Sequence, residues 1–226
     1  MNLRRLLPAL AAIVVASPAA AQEAMSFEFN IGAASDYVFR GVSQTDEDPQ
    51  VFGGADVSVG QFYAGVWASN VDFNDSTDAE FDLYAGFTPT LGVVSLDLGV
   101  LYYGYVDQPS GADLDYFELK AAGSIPLGPA TVGAQLYYSP NYYAGVDNAF
   151  YYEVNGSFSP TEKISFSAAL GRQEVSGAGD YTTWNIGAGY ALNDHLGLDL
   201  RYHDTDEHSL GKVYGSRAVI SLKATF

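Results

Sequence analysis

Near the C-terminal end the chain reads His203-Asp204-Thr205-Asp206-Glu207-His208, which places two imidazoles and three carboxylates within six residues. Imidazole nitrogens and carboxylate oxygens are the donors that hold divalent metals. The spacing matches no defined metal-binding loop, and an exposed acidic hairpin loop is the commoner meaning of such a run. A looser role, gathering divalent ions or bridging lipopolysaccharide, needs no fixed geometry. Similar acidic stretches recur at Asp46-Glu47-Asp48, Asp72 to Asp78 and Asp113 to Asp115.

Three histidines in all, His195, His203 and His208, are available for hydrolysis. His203 with Asp204 or Asp206, or His195 with Asp194, supplies a base and an orienting acid, but such chemistry also needs a nucleophile or an activated water beside the base. No serine stands in a nucleophile-like motif. Cysteine is absent, which removes disulfides, thiolate metal sites and a lipid-acceptor residue. No cofactor is implied.

A second set of chemical groups is spread along the chain at a regular spacing. Leu196, Leu198, Leu200 and Tyr202 alternate with Gly197, Asp199, Arg201 and His203, the period-two signature of a strand with one apolar face. Phe27, Phe29, Ile31 and Ala33 alternate with Glu28, Asn30, Gly32 and Ala34 in the same way. Ile164, Phe166, Ala168 and Leu170 do so with Ser165, Ser167, Ala169 and Gly171. If the apolar parity faces outward throughout, Glu28, Asp56, Asp82, Asp97, Glu118, Glu153 and Asp199 point inward, with Lys120, Arg201, Arg217 and Lys223. Seven acids against four bases give an interior that attracts cations, in a salt-dependent way. Three of the four bases lie on the last two strands, an asymmetry that fits either a constriction or a cluster of structural ion pairs. Buried charges need partners, so the same residues could equally plug a narrow barrel.

The elements that must position these groups are strands. The pattern predicts twelve, at roughly 26–39, 50–59, 62–73, 80–88, 93–106, 114–125, 130–139, 149–158, 163–173, 181–191, 195–204 and 213–226. The facing of 62–73 is ambiguous, because Tyr63, Trp67 and Val71 oppose Phe62, Ala64 and Val66. Connections alternate between short turns, such as Gly60-Gln61 and Leu192 to Asp194, and longer Asp-, Gly- or Ser-rich loops. An even strand count with turns on one side and loops on the other is what an up-and-down antiparallel transmembrane barrel requires. No water in hydrocarbon can satisfy free backbone groups, so the sheet must close on itself.

Aromatic residues should then form two girdles. Tyr37, Phe39, Tyr102, Tyr103, Tyr138, Tyr152, Tyr202 and Tyr214 fall near the long-loop ends of the predicted strands, and Phe27, Phe62, Phe87, Phe158, Tyr190 and Phe226 near the short-turn ends. The last strand repeats apolar residues from Tyr214 through Ile220 and Leu222 to a terminal Phe226, which resembles the signal read by outer-membrane assembly machinery. A soluble lipocalin-like barrel or sandwich would carry the opposite facing, apolar inside.

Residues 1–21 open with Arg4 and Arg5, continue through an apolar run from Leu6 to Ala16 and end in Ala19-Ala20-Ala21, the form of a cleaved secretory signal peptide. Residues 22–226 then form one barrel domain in the bacterial outer membrane. The 226-residue chain carries a formal net charge of −17. Without Arg4 and Arg5 its ten basic residues fall to eight against 27 acids, a charge near −19 that repels nucleic acid.

The stretch Ser35-Asp36-Tyr37-Val38-Phe39-Arg40-Gly41-Val42-Ser43-Gln44-Thr45 resembles the opening motif of the TorF family of exported bacterial proteins, named as porins. Pro49 to Asp56, Tyr63 to Asp72 and Glu80 to Gly86 match as well; beyond them the likeness is one of length and strand pattern. The resemblance implies a pore but brings no established substrate or site residues.

Asp36 and Arg40 lie where the first strand should meet its long loop. They are expected either at the pore mouth or, for Arg40, as a cap donating to loop carbonyls. The expected function is a passive, cation-leaning channel for small hydrophilic solutes or ions, with outer-membrane lipid, lipopolysaccharide and the assembly machinery as partners. The alternative is a plugged barrel serving as a membrane-embedded hydrolase or as an adhesion or structural anchor. Its short loops offer little area for a partner of standard size.

Overall fold

The computed structural model describes residues 24–177 and 179–226, so the expected signal peptide at 1–21 lies outside the described residues. Twelve antiparallel strands form one closed ring. They are β1 (Met25–Ala34), β2 (Gln50–Val59), β3 (Phe62–Asn70), β4 (Ala79–Phe87), β5 (Val94–Val106), β6 (Tyr116–Leu127), β7 (Ala130–Ser139), β8 (Ala149–Phe158), β9 (Ile164–Val175), β10 (Tyr181–Ala191), β11 (Leu196–Thr205) and β12 (Arg217–Thr225). Each strand pairs with its neighbours in sequence, and β12 closes on β1 in a register running from Asn30↔Thr225 to Ala34↔Ser221. Phe226 extends that seam by exchanging backbone hydrogen bonds with Phe29 (2.9 and 3.1 Å). Closure leaves no unpaired edge.

The alternation resolves in the inside-out sense. Ile31, Val154, Ile186 and Leu200, all more than half exposed, stand on the outer surface, and the charged parity turns inward. A soluble barrel with an apolar interior is thereby ruled out as the architecture. On the ambiguous third strand, Tyr63 and Trp67 face inward, where Tyr63 donates to Asp97 (2.7 Å) and Trp67 packs on Tyr37; Phe62 and Val66 are exposed outside. At the short-turn end Phe27, Phe62, Phe158, Tyr190 and Phe226 form the expected outward aromatic band, with Phe87 stacked on Phe62 at 4.9 Å.

The long-loop band is only half as expected. Tyr102 (beside Phe81), Tyr138 (against Phe150), Tyr152 and Tyr202 face out. Tyr37, Phe39, Tyr103 and Tyr214 are inside. Strand geometry requires part of this, since adjacent residues such as Tyr102 and Tyr103 point to opposite faces.

Two terminal assignments also change. The first strand does not run to 39 but ends at Ala34, and the last begins at Arg217 rather than 213, because Lys212–Tyr214 forms a short 3-10 turn. Between β1 and β2 the chain makes a separate small hairpin, Val38–Phe39 paired with Val42–Ser43, which folds back into the barrel. Its turn needs Arg40 at φ +48° and Gly41 at φ +85°. Any side chain at Gly41 would collide with Thr183 on the barrel wall, so glycine is required by both conformation and space.

Candidate functional site

The barrel interior is divided by this first loop. Arg40, at the hairpin tip, reaches across to β6, where Nη1 and Nη2 donate to Glu118 Oε1 and Oε2 at 2.8 and 2.7 Å. Such a fork-to-fork pair is the strongest form of arginine–carboxylate contact. Nη1 also donates to Gln173 Oε1 (3.1 Å), and the guanidinium lies 4.4–4.8 Å from the ring centres of Phe39, Tyr137 and Tyr151, within cation–π range. Tyr103 donates to Glu118 Oε2 at 3.1 Å. Glu118 and Gln173 are each only 1% exposed. The charge is thus taken out of water but supplied with a full set of partners, the condition under which a buried ion pair is tolerable.

Asp36 secures the base of the same loop. Its Oδ1 accepts from Ser43 (2.7 Å) and its Oδ2 from Arg217 Nη1 on β12 (3.0 Å). Arg217 also donates to the carbonyls of Val213 (2.6 Å) and Gly215 (2.9 Å). Tyr37 donates to Glu80 at 2.6 Å. Farther out, Lys212 pairs with Asp46 at 2.8 Å, and the Asp72 amide donates to the Gln44 carbonyl at 2.8 Å. Chiefly through their mutual hydrogen bond, the partly buried Asp46 carboxyl is held below its ordinary range and the Lys212 ammonium above its own.

The placement of Arg40 corrects both sequence expectations. It neither stands at the rim nor caps loop carbonyls, because its guanidinium bonds wall side chains well inside the barrel. Asp36 is likewise a buried anchor rather than a mouth residue. Glu118 faces inward as expected but is covered by Arg40.

The other inward acids and bases divide by partner. Asp97 pairs with Lys120 and accepts from Tyr63. Asp199 pairs with Arg201 (3.1 Å), which also donates to Asn185 (2.7 Å) and Ser167 (2.8 Å). Glu153 accepts from Gln135, Tyr151 and Asn155 (2.6–2.9 Å), and Asp56 from Tyr84 (2.6 Å). Glu28 sits directly opposite Asp56 in the β1–β2 register. Asp82 keeps a buried Oδ1 without a hydrogen-bond partner. Among the described residues Glu28, Asp56, Asp82 and Glu153 make no salt bridge, nor does Lys223. The sequence tally of acidic excess therefore survives pairing.

Space lies on both sides of the Arg40 layer. At the long-loop end a cavity of about 550 Å³ is walled by Phe39, Tyr105, Tyr116, Tyr142, Tyr181 and Tyr214, with Gln173 among its lining. At the short-turn end a cavity of about 520 Å³ contains Asp97, Lys120, Gln135 and Asn155, and another of about 410 Å³ contains Asp199, Lys223 and Asn193. Along β6 the inward residues Tyr116, Glu118 and Lys120 step from the upper cavity through the ion pair to the lower one.

The histidine-rich segment does not assemble into one centre. His203 faces inward opposite Arg217, whereas His208 pairs with Asp204 at 2.7 Å; Asp206 accepts from the Thr182 amide at 2.6 Å. His195 contacts the Thr225 carbonyl through Nδ1 at 2.9 Å. Among the described residues no group of three or more His, Asp or Glu side chains is arranged to hold a metal.

Sequence reasoning missed the inward course of the first loop and the tyrosine lining above it. A signal was present: Tyr37, Val38, Phe39 and Val42 surround Arg40-Gly41 in a loop that is polar from Ser43 onward, and Phe73, Tyr142 and Tyr143 also lie outside the strands.

A family model described as "Bacterial protein of unknown function (Gcw_chp)" matches residues 18–226. No curated protein matches the sequence. Among solved structures the fold is similar to that of the KdgM porin, with TM-score 0.62 at 8% identity, covering 88% of this chain and 99% of that one. It is also similar to the NanC porin, with TM-score 0.58 at 10% identity over 89% and 99% of the two chains. An outer membrane channel from Pseudomonas putida F1 gives TM-score 0.54 at 10% identity over 91% and 97%.

Proposed function

The chain belongs to the Gcw_chp family, and we propose that it is a narrow outer-membrane channel for small hydrophilic solutes and ions, cation-leaning, whose conductance is set by its first loop. The observation that carries this reading is the inside-out barrel with a charged, cavity-bearing interior. An apolar exterior of this extent is stable in hydrocarbon and unstable in water. The expected signal peptide supports export, the four motif stretches support the TorF label, and the porin-like neighbours support a channel.

Charge supports the cation preference. Setting aside the buried Asp82, three inward acids, Glu28, Asp56 and Glu153, lack a salt-bridge partner against one such base, Lys223, so the accessible wall is negative. One KdgM porin structure is described as a complex with disordered oligogalacturonate, a polyanion. A negative lumen disfavours such a solute here.

A second reading is favoured by one observation. The near-complete burial of Glu118 and Gln173 around Arg40 would suit a barrel permanently closed by its own loop, serving as an anchor or a support. The hydrolase reading has no comparable support, because among the described residues no serine hydroxyl is hydrogen-bonded to a histidine ring. Planar-bilayer conductance separates channel from plug: ion-carrying steps support the channel, and silence from folded protein supports the plug.

A further inference from the structure

The cavity above the Arg40 layer has a chemistry that the channel reading alone does not use. Its walls carry eight aromatic rings: Phe73, Tyr105 and Tyr143 pack edge-on to one another at 5.6–5.9 Å, Tyr142 meets Tyr116 at 4.9 Å, Tyr181 meets Tyr214 at 5.2 Å, and Phe39 completes the set. Packed against one another, these rings are held in place before any ligand arrives, which lowers the ordering cost of binding.

Buried tyrosines ordinarily find partners for their hydroxyls. Deeper in the barrel they do: Tyr37, Tyr63, Tyr84, Tyr103 and Tyr151 all donate to carboxylates. Around the upper cavity only some do: Tyr105 is paired with Glu80 and Tyr142 with Arg40. Among the described residues the hydroxyls of Tyr116, Tyr143, Tyr181 and Tyr214 make no hydrogen bond to protein. Tyr116 and Tyr181 are only 5% and 6% exposed, and both line the cavity.

The remaining polar lining is mostly uncharged: Ser43, Gln44, Asn74 and Gln173, with Asp72 as the single charged residue. No cation is offered to an anionic ligand, since Arg40 beneath is committed to Glu118. An alkylammonium ion would suit the ring faces but would strand the hydroxyls and amides on binding, each at a desolvation cost. A neutral polyol ring satisfies both features, with C–H faces for the aromatic walls and hydroxyls for the tyrosine oxygens and amides. The volume of about 550 Å³ is of the size that ligand sites occupy.

We propose that this vestibule is a binding site for neutral saccharides, formed by aromatic walls and partner-free tyrosine hydroxyls at the long-loop mouth of the barrel. It deepens the channel reading by naming a solute class, and it rests on that reading only for the consequence that bound sugar is on its way through.

The test is isothermal titration calorimetry of the refolded full barrel in detergent micelles with maltose, cellobiose and sucrose, beside digalacturonate and tetraethylammonium chloride. The expected result is saturable binding of at least one neutral disaccharide, with neither ion competing. Tyr116→Phe with Tyr181→Phe keeps the rings and should weaken that binding roughly tenfold. Tyr143→Ala, on a loop and outside the strands, should weaken it without endangering the barrel. Binding of an ion in place of the sugars, no binding of any disaccharide, or undiminished affinity in the double phenylalanine variant would each overturn the proposal. Conductance measured on the same preparation keeps the two readings apart. A conducting barrel that binds no disaccharide loses the vestibule site and keeps the channel, and a silent barrel that binds one does the reverse.

Discussion

Arg40 and Glu118, 78 positions apart in sequence, meet inside the barrel through two parallel hydrogen bonds of 2.8 and 2.7 Å, and that pair joins the tip of the first loop to the wall. If the loop is the constriction, this contact decides how much of the lumen is open.

Replacing Arg40 by Ala leaves Glu118 without its partner in a buried position, at a cost of about 3–5 kcal/mol if nothing moves. A loop held largely by such contacts has a cheaper response, which is to leave the wall and admit water to Glu118. The expected outcome for Arg40→Ala is a severalfold rise in single-channel conductance, with the barrel strands retaining their hydrogen-exchange protection.

The interior acids that lack a salt bridge should set selectivity. Asp97 and Asp199 are poor places to test this, because reversing either would place two cations side by side with Lys120 or Arg201. Glu28 and Asp56 face each other across β1 and β2 without a basic partner. Glu28→Lys with Asp56→Lys should move the reversal potential toward anion preference in a folded barrel, and the shift should shrink at high salt.

The outer surface is open to a thermodynamic test. Ile186 is 63% exposed on β10, between Ala168 and Tyr202 on the flanking strands. If that face meets hydrocarbon, Ile186→Arg should lower stability in reversible bilayer unfolding by roughly 2–4 kcal/mol near mid-membrane. An outer face in water would tolerate arginine within a few tenths of that scale.

The Lys212–Asp46 contact ties the last long loop to the first. Asp46 is held below its ordinary value, so its contribution is present above the unfolded carboxyl value and is lost as pH falls through the lowered folded one. Lys212 is held above its ordinary value, so its contribution is present below the unfolded amine value and is lost as pH rises through the raised folded one. The contact should therefore hold across neutral pH and fail in strong acid. Relative to the intrinsic exchange rate at each pH, amides around Asp46 should lose protection below the carboxyl range in the native chain, and Lys212→Ala should lessen that pH dependence without abolishing it, because Asp36–Arg217 and Arg40–Glu118 also hold the loop.

Most of the barrel was readable because a sheet with one apolar face imposes period two on every strand. Gln50–Val59, Ala130–Ser139, Ala149–Phe158 and Tyr181–Ala191 begin and end where the alternation places them. Phe62 to Phe73 was ambiguous because both its faces carry large rings, and only the barrel interior shows why: Tyr63 is needed by Asp97, and Trp67 packs under Tyr37. The inward parity of the charged residues was legible, but their partners were not. Arg40 meets Glu118 only because the chain reverses at a left-handed Arg40-Gly41 turn, and no spacing in the sequence encodes which wall a loop tip will reach. The vestibule was hidden for the same reason, since Tyr116, Tyr142, Tyr181 and Tyr214 come from four separate segments.

Whether the barrel conducts is decided by the single-channel current and reversal potential of refolded protein in a planar bilayer under a salt gradient, with Arg40→Ala measured beside it. A cation-leaning channel constricted by its first loop gives discrete steps with a cation-directed potential, and larger steps in the variant. Silence from both proteins, each shown to be folded, would contradict it and leave a barrel closed by its own first loop.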